Sequence, residues 1–359
     1  MFLQRFNLAL LCTACLILGG VIGWLVPLNS PISPTTYRGA LLRQSSVDYQ
    51  YIAPLLACDV GSEEAFPEFA PLKEILTDLI NKNIHASNVQ NTSVYLRSLR
   101  SARWFEINGS QTYAPASLLK IFAMMAYYKE ANETDNPGLL QKKILFKGSS
   151  SYGDDVVGGT IVHLVNGRFY TVDRIIDQMI TYSDNDAYDT LLNNLDSQGA
   201  QMLATIFSDL TIPLPTTQDE NSLDFMTADK YSMVFRVLFG STYLSERYSE
   251  KALKLLSQAK YTDGIVAGVP SNLTVAHKYG IRAVPVVSAK NPDELHDCGI
   301  IYYPSHPYLL CVMTKGEDFL MQQAVIKNIS ATTYTWLDAF YKAMPPSMTA
   351  SSTPKVITL

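Results

Sequence analysis

The sequence predicts an α+β fold, with an antiparallel sheet built from both chain ends, flanked by helices, and an all-helical subdomain inserted between. Three observations predict it. Strand-like apolar runs occur over residues 93–107 and again over 274–314. The stretch between, about 137–265, carries mostly helical spacing. One helical pattern precedes the first strands and another follows the last, an order unlike alternating βαβ units.

Each element has its own signal. Pro71 opens an amphipathic helix in which Leu72, Ile75, Leu76, Leu79 and Ile80 recur at i, i+3, i+4, i+7 and i+8. Ser93–Leu99 and Arg103–Ile107 read as a hairpin. A helix starts at Ser117 and runs to about Lys129. Val172–Thr181, Asp186–Leu195 and Thr227–Phe239 have helical periodicity. Strands are expected at Thr274–Tyr279, Ala283–Ser288, Gly299–Tyr303 and Tyr308–Thr314, the last two joined by a turn at Pro304-Ser305-His306-Pro307. A final helix spans about Phe319 to Ala343. The expected domain is 71–345, with a loose tail over 346–359.

Ahead of the domain, Leu8–Leu28 holds no charged residue. As a helix it would rise about 30 Å, enough to cross a bilayer. Arg5 precedes it, and no small-x-small cleavage site follows Gly23. This favours an uncleaved signal-anchor over 1–28 above a cleaved signal peptide, with the rest of the chain outside the cytoplasm. A lipoprotein signal at Cys12 or Cys15 fits less well. Residues 29–70, rich in Pro, Ser and Thr, read as a spacer.

Composition excludes some functions. The 359 residues carry a net charge of -5 and no long basic run, so nucleic acid is not an expected partner. Outside the apolar segment stand Cys58, Cys298 and Cys311 without C-x-x-C spacing. A zinc or iron–sulfur site is therefore not expected. Buried free thiols are the default, and one disulfide is open to a chain outside the cell.

The chemistry starts from S-x-x-K, which occurs three times: Ser117/Lys120, Ser257/Lys260 and Ser352/Lys355. Only Ser117 begins an apolar helix. Serine and lysine at i and i+3 share a helix face. Beside Leu118, Leu119, Ile121 and Phe122 an ammonium is poorly solvated, which favours a neutral amine able to act as a base. Read alone, Ser117 could equally cap the helix. Ser183-Asp184-Asn185 sits in a turn between helices and can aim two polar groups into one cleft. Read alone it is an ordinary helix-start cluster. Lys278-Tyr279-Gly280 lies on an apolar strand, where Lys278 can place a cation and Gly280 can permit close approach. Read alone, Lys278 is a solvent-facing lysine at a strand end.

Together these three stretches resemble the class A β-lactamase family of penicillin-recognising serine hydrolases, whose marks are S-x-x-K, S-D-N and K-T-G. Their separations here, 66 and 95 residues, are similar to the family's. The segments SVYLRSLRSARWFEINGSQTYAPASLLKIFAMMAYYKEA, YTVDRIIDQMITYSDNDAYDTLL and HDCGIIYYPSHPYLLCVMTKG extend the likeness, over about residues 72–343. The resemblance implies a β-lactamase/transpeptidase-like fold and a Ser117 acyl-enzyme. It makes Lys120 the candidate base and Ser183 a proton relay, with Asn185 orienting Lys120 and binding substrate. Lys278 would attract a substrate carboxylate, and the N–H groups of Ser117 and Ile281 would form an oxyanion hole. It implies no metal or organic cofactor, a small β-lactam or peptide substrate, and a monomeric catalytic domain.

Two departures stand out. K-T-G is Lys278-Tyr279-Gly280 here, so a phenol replaces a small hydroxyl at a substrate-binding position. The family's E-x-x-L-N, which supplies the base that releases the acyl-enzyme, is absent. Glu220 is the candidate substitute, against the reading of an exposed loop glutamate. A D-Ala-D-Ala carboxypeptidase or transpeptidase, and a non-catalytic binding module, are the alternative readings. A Ser-His-Asp enzyme finds no G-x-S-x-G elbow, and His277 and His296 are expected to support strands.

Overall fold

The computed structural model describes residues 42–43, 49–57, 67–86, 88–148, 164–212, 223–284 and 292–343. The apolar segment 8–28, Glu220 and the 346–359 tail lie outside these residues, as does most of the 29–70 stretch. No helix among the described residues is long and apolar enough to cross a membrane.

Strands β1 (Leu42–Arg43) and β2 (Leu55–Ala57) pair with each other. Helix α1 (Ala70–His85) follows a 3-10 turn, with Pro71 in its first turn, where a missing N–H costs nothing. The main hairpin is β3 (Asn91–Ser98) and β4 (Trp104–Ile107). A 3-10 turn at Ala116–Leu119 leads into α2 (Lys120–Glu133). The helical region opens with a small pair, β5 (Lys143–Leu145) and β6 (Phe169–Thr171). It continues with α3 (Val172–Thr181), α4 (Asn185–Asn193), α5 (Ser197–Asp209), α6 (Ala228–Phe239) and α7 (Glu246–Leu256). The chain then returns to the sheet through β7 (Val275–Arg282), β8 (Asp293–Ile301) and β9 (Tyr308–Gly316), and α8 (Phe319–Ala343) closes the domain.

The five-stranded sheet is antiparallel with order β4-β3-β9-β8-β7, so strands from both chain ends meet at the β3–β9 pair. Period-2 alternation assigns its two faces. Val94, Leu96, Leu310 and Val312 pack on α1 and α8, against Leu72, Leu76 and Ile326. Tyr95, Cys311 and Met313 face the other core, which contains α2 and the helical region. Helix α2 is buried on nearly every side, with Ile121, Phe122, Met124 and Met125 inaccessible to solvent. That position suits a helix caught between a sheet and further helices.

Three sequence expectations change. The strand expected at Ala283–Ser288 is not formed by Ala283 and Val284, which follow the end of β7, and residues 285–288 lie outside the described set. The partner of β7 is β8, which begins at Asp293, well before the Gly299 expected from hydropathy. Its first half, Asp293-Glu294-Leu295-His296-Asp297, is polar in sequence yet buried throughout. Cys298 and Cys311, for which free thiols were the default, stand directly opposite on β8 and β9 and form a disulfide. Strand register creates that neighbourhood, and spacing along the chain does not reveal it.

Residues 49–53, within the stretch read as spacer, are docked on the domain. The Glu250 carboxylate on α7 accepts the backbone N–H groups of Gln50, Tyr51 and Ile52 at 2.8, 2.9 and 3.1 Å. The Tyr302 hydroxyl donates to the Tyr51 carbonyl at 2.9 Å, and Ile52 enters the core. Glu250→Ala should strip three donors of their acceptor and lower stability by about 1–2 kcal/mol. Thermal unfolding measures the loss, and limited proteolysis should cut within 49–53 faster than in the unaltered protein. An unchanged melting curve and cleavage pattern would count against the docking.

Candidate active site

The three singled-out stretches converge where the turn before α2, the α3–α4 junction and edge strand β7 meet. Ser117 lies in the Ala116–Leu119 turn, and no side chain caps this turn or α2. Its hydroxyl sits 2.9 Å from Lys120 Nζ instead, so the helix-cap reading has no support in the geometry. Ala116, just before it, has φ of 47°, a left-handed backbone uncommon for alanine. Ser183 has φ of 58°. Strained backbone of this kind is tolerated where surrounding contacts over-determine it. Here Asp184 supplies one such contact, accepting from Ala187 N at 2.9 Å and from Gln178 Nε2 at 3.0 Å.

Lys120 is 2% exposed and has four polar neighbours. Its Nζ donates to the Ser183 carbonyl and to Asn185 Oδ1, the latter at 2.6 Å, and lies 2.9 Å from Ser117 Oγ and 3.3 Å from Ser183 Oγ. A neutral amine has two N–H groups and one lone pair. With the two N–H groups on Ser183 O and Asn185 Oδ1, the lone pair is left for the Ser117 proton. Burial pulls the Lys120 pKa down to about 7, against the opposing pull of the Asp184 and Asp189 carboxylates.

Lys278 makes a second serine–lysine pair. Its Nζ is 2.8 Å from Ser183 Oγ and 2.7 Å from the Tyr279 carbonyl, and the side chain is 0% exposed. Burial holds its pKa well below the usual lysine value, and the nearby Lys120 charge adds to the effect. Tyr279 is 5% exposed and stacks on Tyr261 with ring centroids 4.3 Å apart. Burial pushes its phenol up to about 12. Gly280 packs on the Ser117 turn: a Cβ there would sit 2.8 Å from the Pro115 carbonyl and 2.9 Å from Leu118 Cγ. The close approach it permits in this structure is between strand and turn. Ile281 follows on the same edge strand.

Sequence reasoning missed the support beneath this site. Glu294 on β8 accepts the Ala114 N–H at 2.9 Å, while His296 Nε2 lies 3.0 Å from the Ala114 carbonyl. Both backbone groups of a residue three positions before Ser117 are thus held from the sheet. Burial would raise the Glu294 pKa, but His296, Lys315 and the Ala114 N–H together outweigh it and hold it below the usual value. Asp297 pairs with His277 Nδ1 at 2.8 Å and accepts Ile265 N at 2.9 Å. The signal was a run of acids and a histidine leading straight into Cys298-Gly299-Ile300-Ile301, which reads as a loop until its partners are known.

Solved structures share this fold. A PBP-A variant captured as its acyl-enzyme complex with penicillin G superimposes with a TM-score of 0.59 at 17% identity, covering 75% of this chain and 97% of that one. The TLA-3 extended-spectrum β-lactamase gives 0.62 at 16% identity, covering 74% and 98%. A β-lactamase from Sphaerobacter thermophilus gives 0.58 at 18% identity, covering 76% and 98%. The fold is therefore the β-lactamase/transpeptidase-like one. No curated protein matches the chain. The profile of the beta-lactamase enzyme family matches residues 71–337, and the chain belongs to that family.

The Gly280 contact yields a test. Gly280→Ala should force strand and turn apart, costing about 1–3 kcal/mol as overpacking does. Ser117 labelling by a reactive β-lactam should slow at least tenfold in protein that still melts cooperatively. Labelling at the unaltered rate would show that the strand–turn contact does not set Ser117's position.

Proposed function

We propose that the protein is an acyl-serine hydrolase that opens β-lactam amides through Ser117. The observation that carries this reading is the buried Lys120 amine 2.9 Å from Ser117 Oγ. Neutral Lys120 takes the Ser117 proton as Oγ bonds to the carbonyl carbon. The N–H groups of Ser117 and Ile281 receive the developing oxyanion. As the C–N bond breaks, Ser183 gives its proton to the leaving nitrogen. Lys120, 3.3 Å from Ser183 Oγ, restores that proton, and Lys278 holds the hydroxyl in place. Asn185 fixes the Lys120 amine and offers an amide to substrate. The fold shared with a protein captured as a penicillin G acyl-enzyme supports this chemistry.

Water must then release the acyl group. Among the described residues, no carboxylate hydrogen-bonds Ser117 or Lys120. Glu220 remains the proposed base for that water, and slow release is expected. A D-Ala-D-Ala carboxypeptidase or transpeptidase is the second reading, favoured by the fold shared with PBP-A. Peptide release measured beside β-lactam turnover separates the two. We also place the domain outside the cytoplasm, tethered through residues 8–28. The Cys298–Cys311 disulfide supports that placement, because such bonds persist in oxidising compartments.

Two outcomes test the reading. After penicillin exposure, intact mass should rise by one acyl adduct located at Ser117, and Ser117→Ala should show no rise. An unmodified wild-type protein would refute acyl transfer. The acylation rate should climb with pH through an apparent pKa near 7, because only deprotonated Lys120 accepts a proton. Lys120→Ala should lose this limb and at least 10³-fold in rate, within the range typical of a positioned base. A pH-independent rate between 5 and 9 would remove Lys120 from the role.

A further inference from the structure

Lys278 is the cation beside Ser183, and its surroundings decide what end of a substrate it can meet. Its side chain is 0% exposed. Three directions around Nζ are taken, by Ser183 Oγ at 2.8 Å, the Tyr279 carbonyl at 2.7 Å and the Tyr279 ring, whose centroid is 4.3 Å away. These three neighbours take up the three N–H groups of an ammonium, and a neutral amine has no charge to offer an incoming anion. The ring is itself held. Tyr261 stacks on it at 4.3 Å with planes 29° apart. The other nearby cations are occupied as well. Lys120 is turned to Ser117, Ser183 and Asn185, and Arg282, further along β7, lies 3.2 Å from Glu294. Among the polar side chains that meet Lys120 and Lys278, Ser117 and Ser183 are part-exposed and Asn185 is exposed.

We propose that Tyr279 is a specificity-determining residue: by capping Lys278 it commits that lysine to Ser183 and denies the substrate a direct cationic contact. The substrate class is then acyl compounds whose group beside Ser183 is uncharged, or keeps its charge in water. A carboxylate drawn into this end of the cleft loses hydration without gaining a paired ammonium, whereas an ester loses little. The cleft should accept a β-lactam ester as readily as the free acid. This inference rests on the acyl-serine hydrolase reading.

The test compares benzylpenicillin with its methyl ester. Binding is measured by calorimetry on full-length Ser117→Ala protein, where no acylation intervenes, and folding of each variant is checked by its melting curve. The expected result is affinities within threefold of each other. Adding Tyr279→Thr should uncover Lys278 and favour the acid at least tenfold. Adding Tyr279→Phe, which keeps the ring, should leave the ratio as it was. A tenfold preference for the acid in the Tyr279 protein would overturn the inference and direct attention to the exposed Lys260 on the neighbouring segment. Binding of neither compound would overturn it too, as would an unchanged ratio in a folded Tyr279→Thr protein or an acid preference in Tyr279→Phe. If Tyr279→Thr does not fold, the Tyr279 and Phe proteins decide the matter. Failure of the hydrolase reading is seen separately, as the absence of a Ser117 adduct in wild-type protein with either compound.

Discussion

A lysine amine held out of water, with its hydrogens assigned, is the constraint on which this structure depends. Burying Lys120 is unfavourable, since desolvation penalises the ammonium. The surrounding fold offsets that by giving the amine two acceptors, the Ser183 carbonyl and Asn185 Oδ1. Those acceptors come from the α3–α4 junction, so α2 and that junction must be registered to within a hydrogen bond. The left-handed conformation of Ser183 is part of this arrangement, and the Asp184 cap holds α4 where Asn185 can reach back. The helical region thus has a local task, which is to solvate one amine in place of water.

The sheet performs the complementary task for Ser117. Ala114 is gripped through both backbone groups by Glu294 and His296, and Gly280 allows β7 to close on Pro115 and Leu118. The turn carrying Ser117 is therefore fixed by strand side chains on one flank and strand backbone on the other. The carboxylates beneath it have partners. Glu294 meets Arg282, Asp224 meets Lys315, and Asp297 hydrogen-bonds His277 and the Ile265 N–H. Breaking one partner of such a pair leaves an uncompensated charge, which costs far more than the intact pair contributes.

Much of this was legible in the sequence where pattern and burial agree. The helices α3, α6 and α8 follow their apolar spacing almost to the residue, and Ser117 stood out from Ser257 and Ser352 because only it opens an apolar helix. Legibility failed where burial opposes residue type. The first half of β8 is acidic and contains histidine, yet lies in the middle of a sheet, because its partners sit on β7, β9 and the Ala114 segment. The Cys298–Cys311 bond depends on strand register, which composition does not encode. The docking of 49–53 depends on Glu250, some two hundred residues away. Tyr279 was visible as a departure, but its stacking on Tyr261 needed the third dimension.

The two serine–lysine pairs, Ser117–Lys120 at 2.9 Å and Ser183–Lys278 at 2.8 Å, share one bridge, since Lys120 also lies 3.3 Å from Ser183. Burial drives both amines toward their neutral forms, and a charge on Lys120 opposes one on Lys278. The arrangement therefore tolerates one extra proton better than two. In the proposed mechanism a proton taken from Ser117 has an outlet through Ser183, because leaving it on Lys120 keeps a charged amine out of water. Lys278 is enclosed with Ser183 Oγ and the Tyr279 carbonyl as its hydrogen-bond partners, so the second pair holds the Ser183 hydroxyl in place.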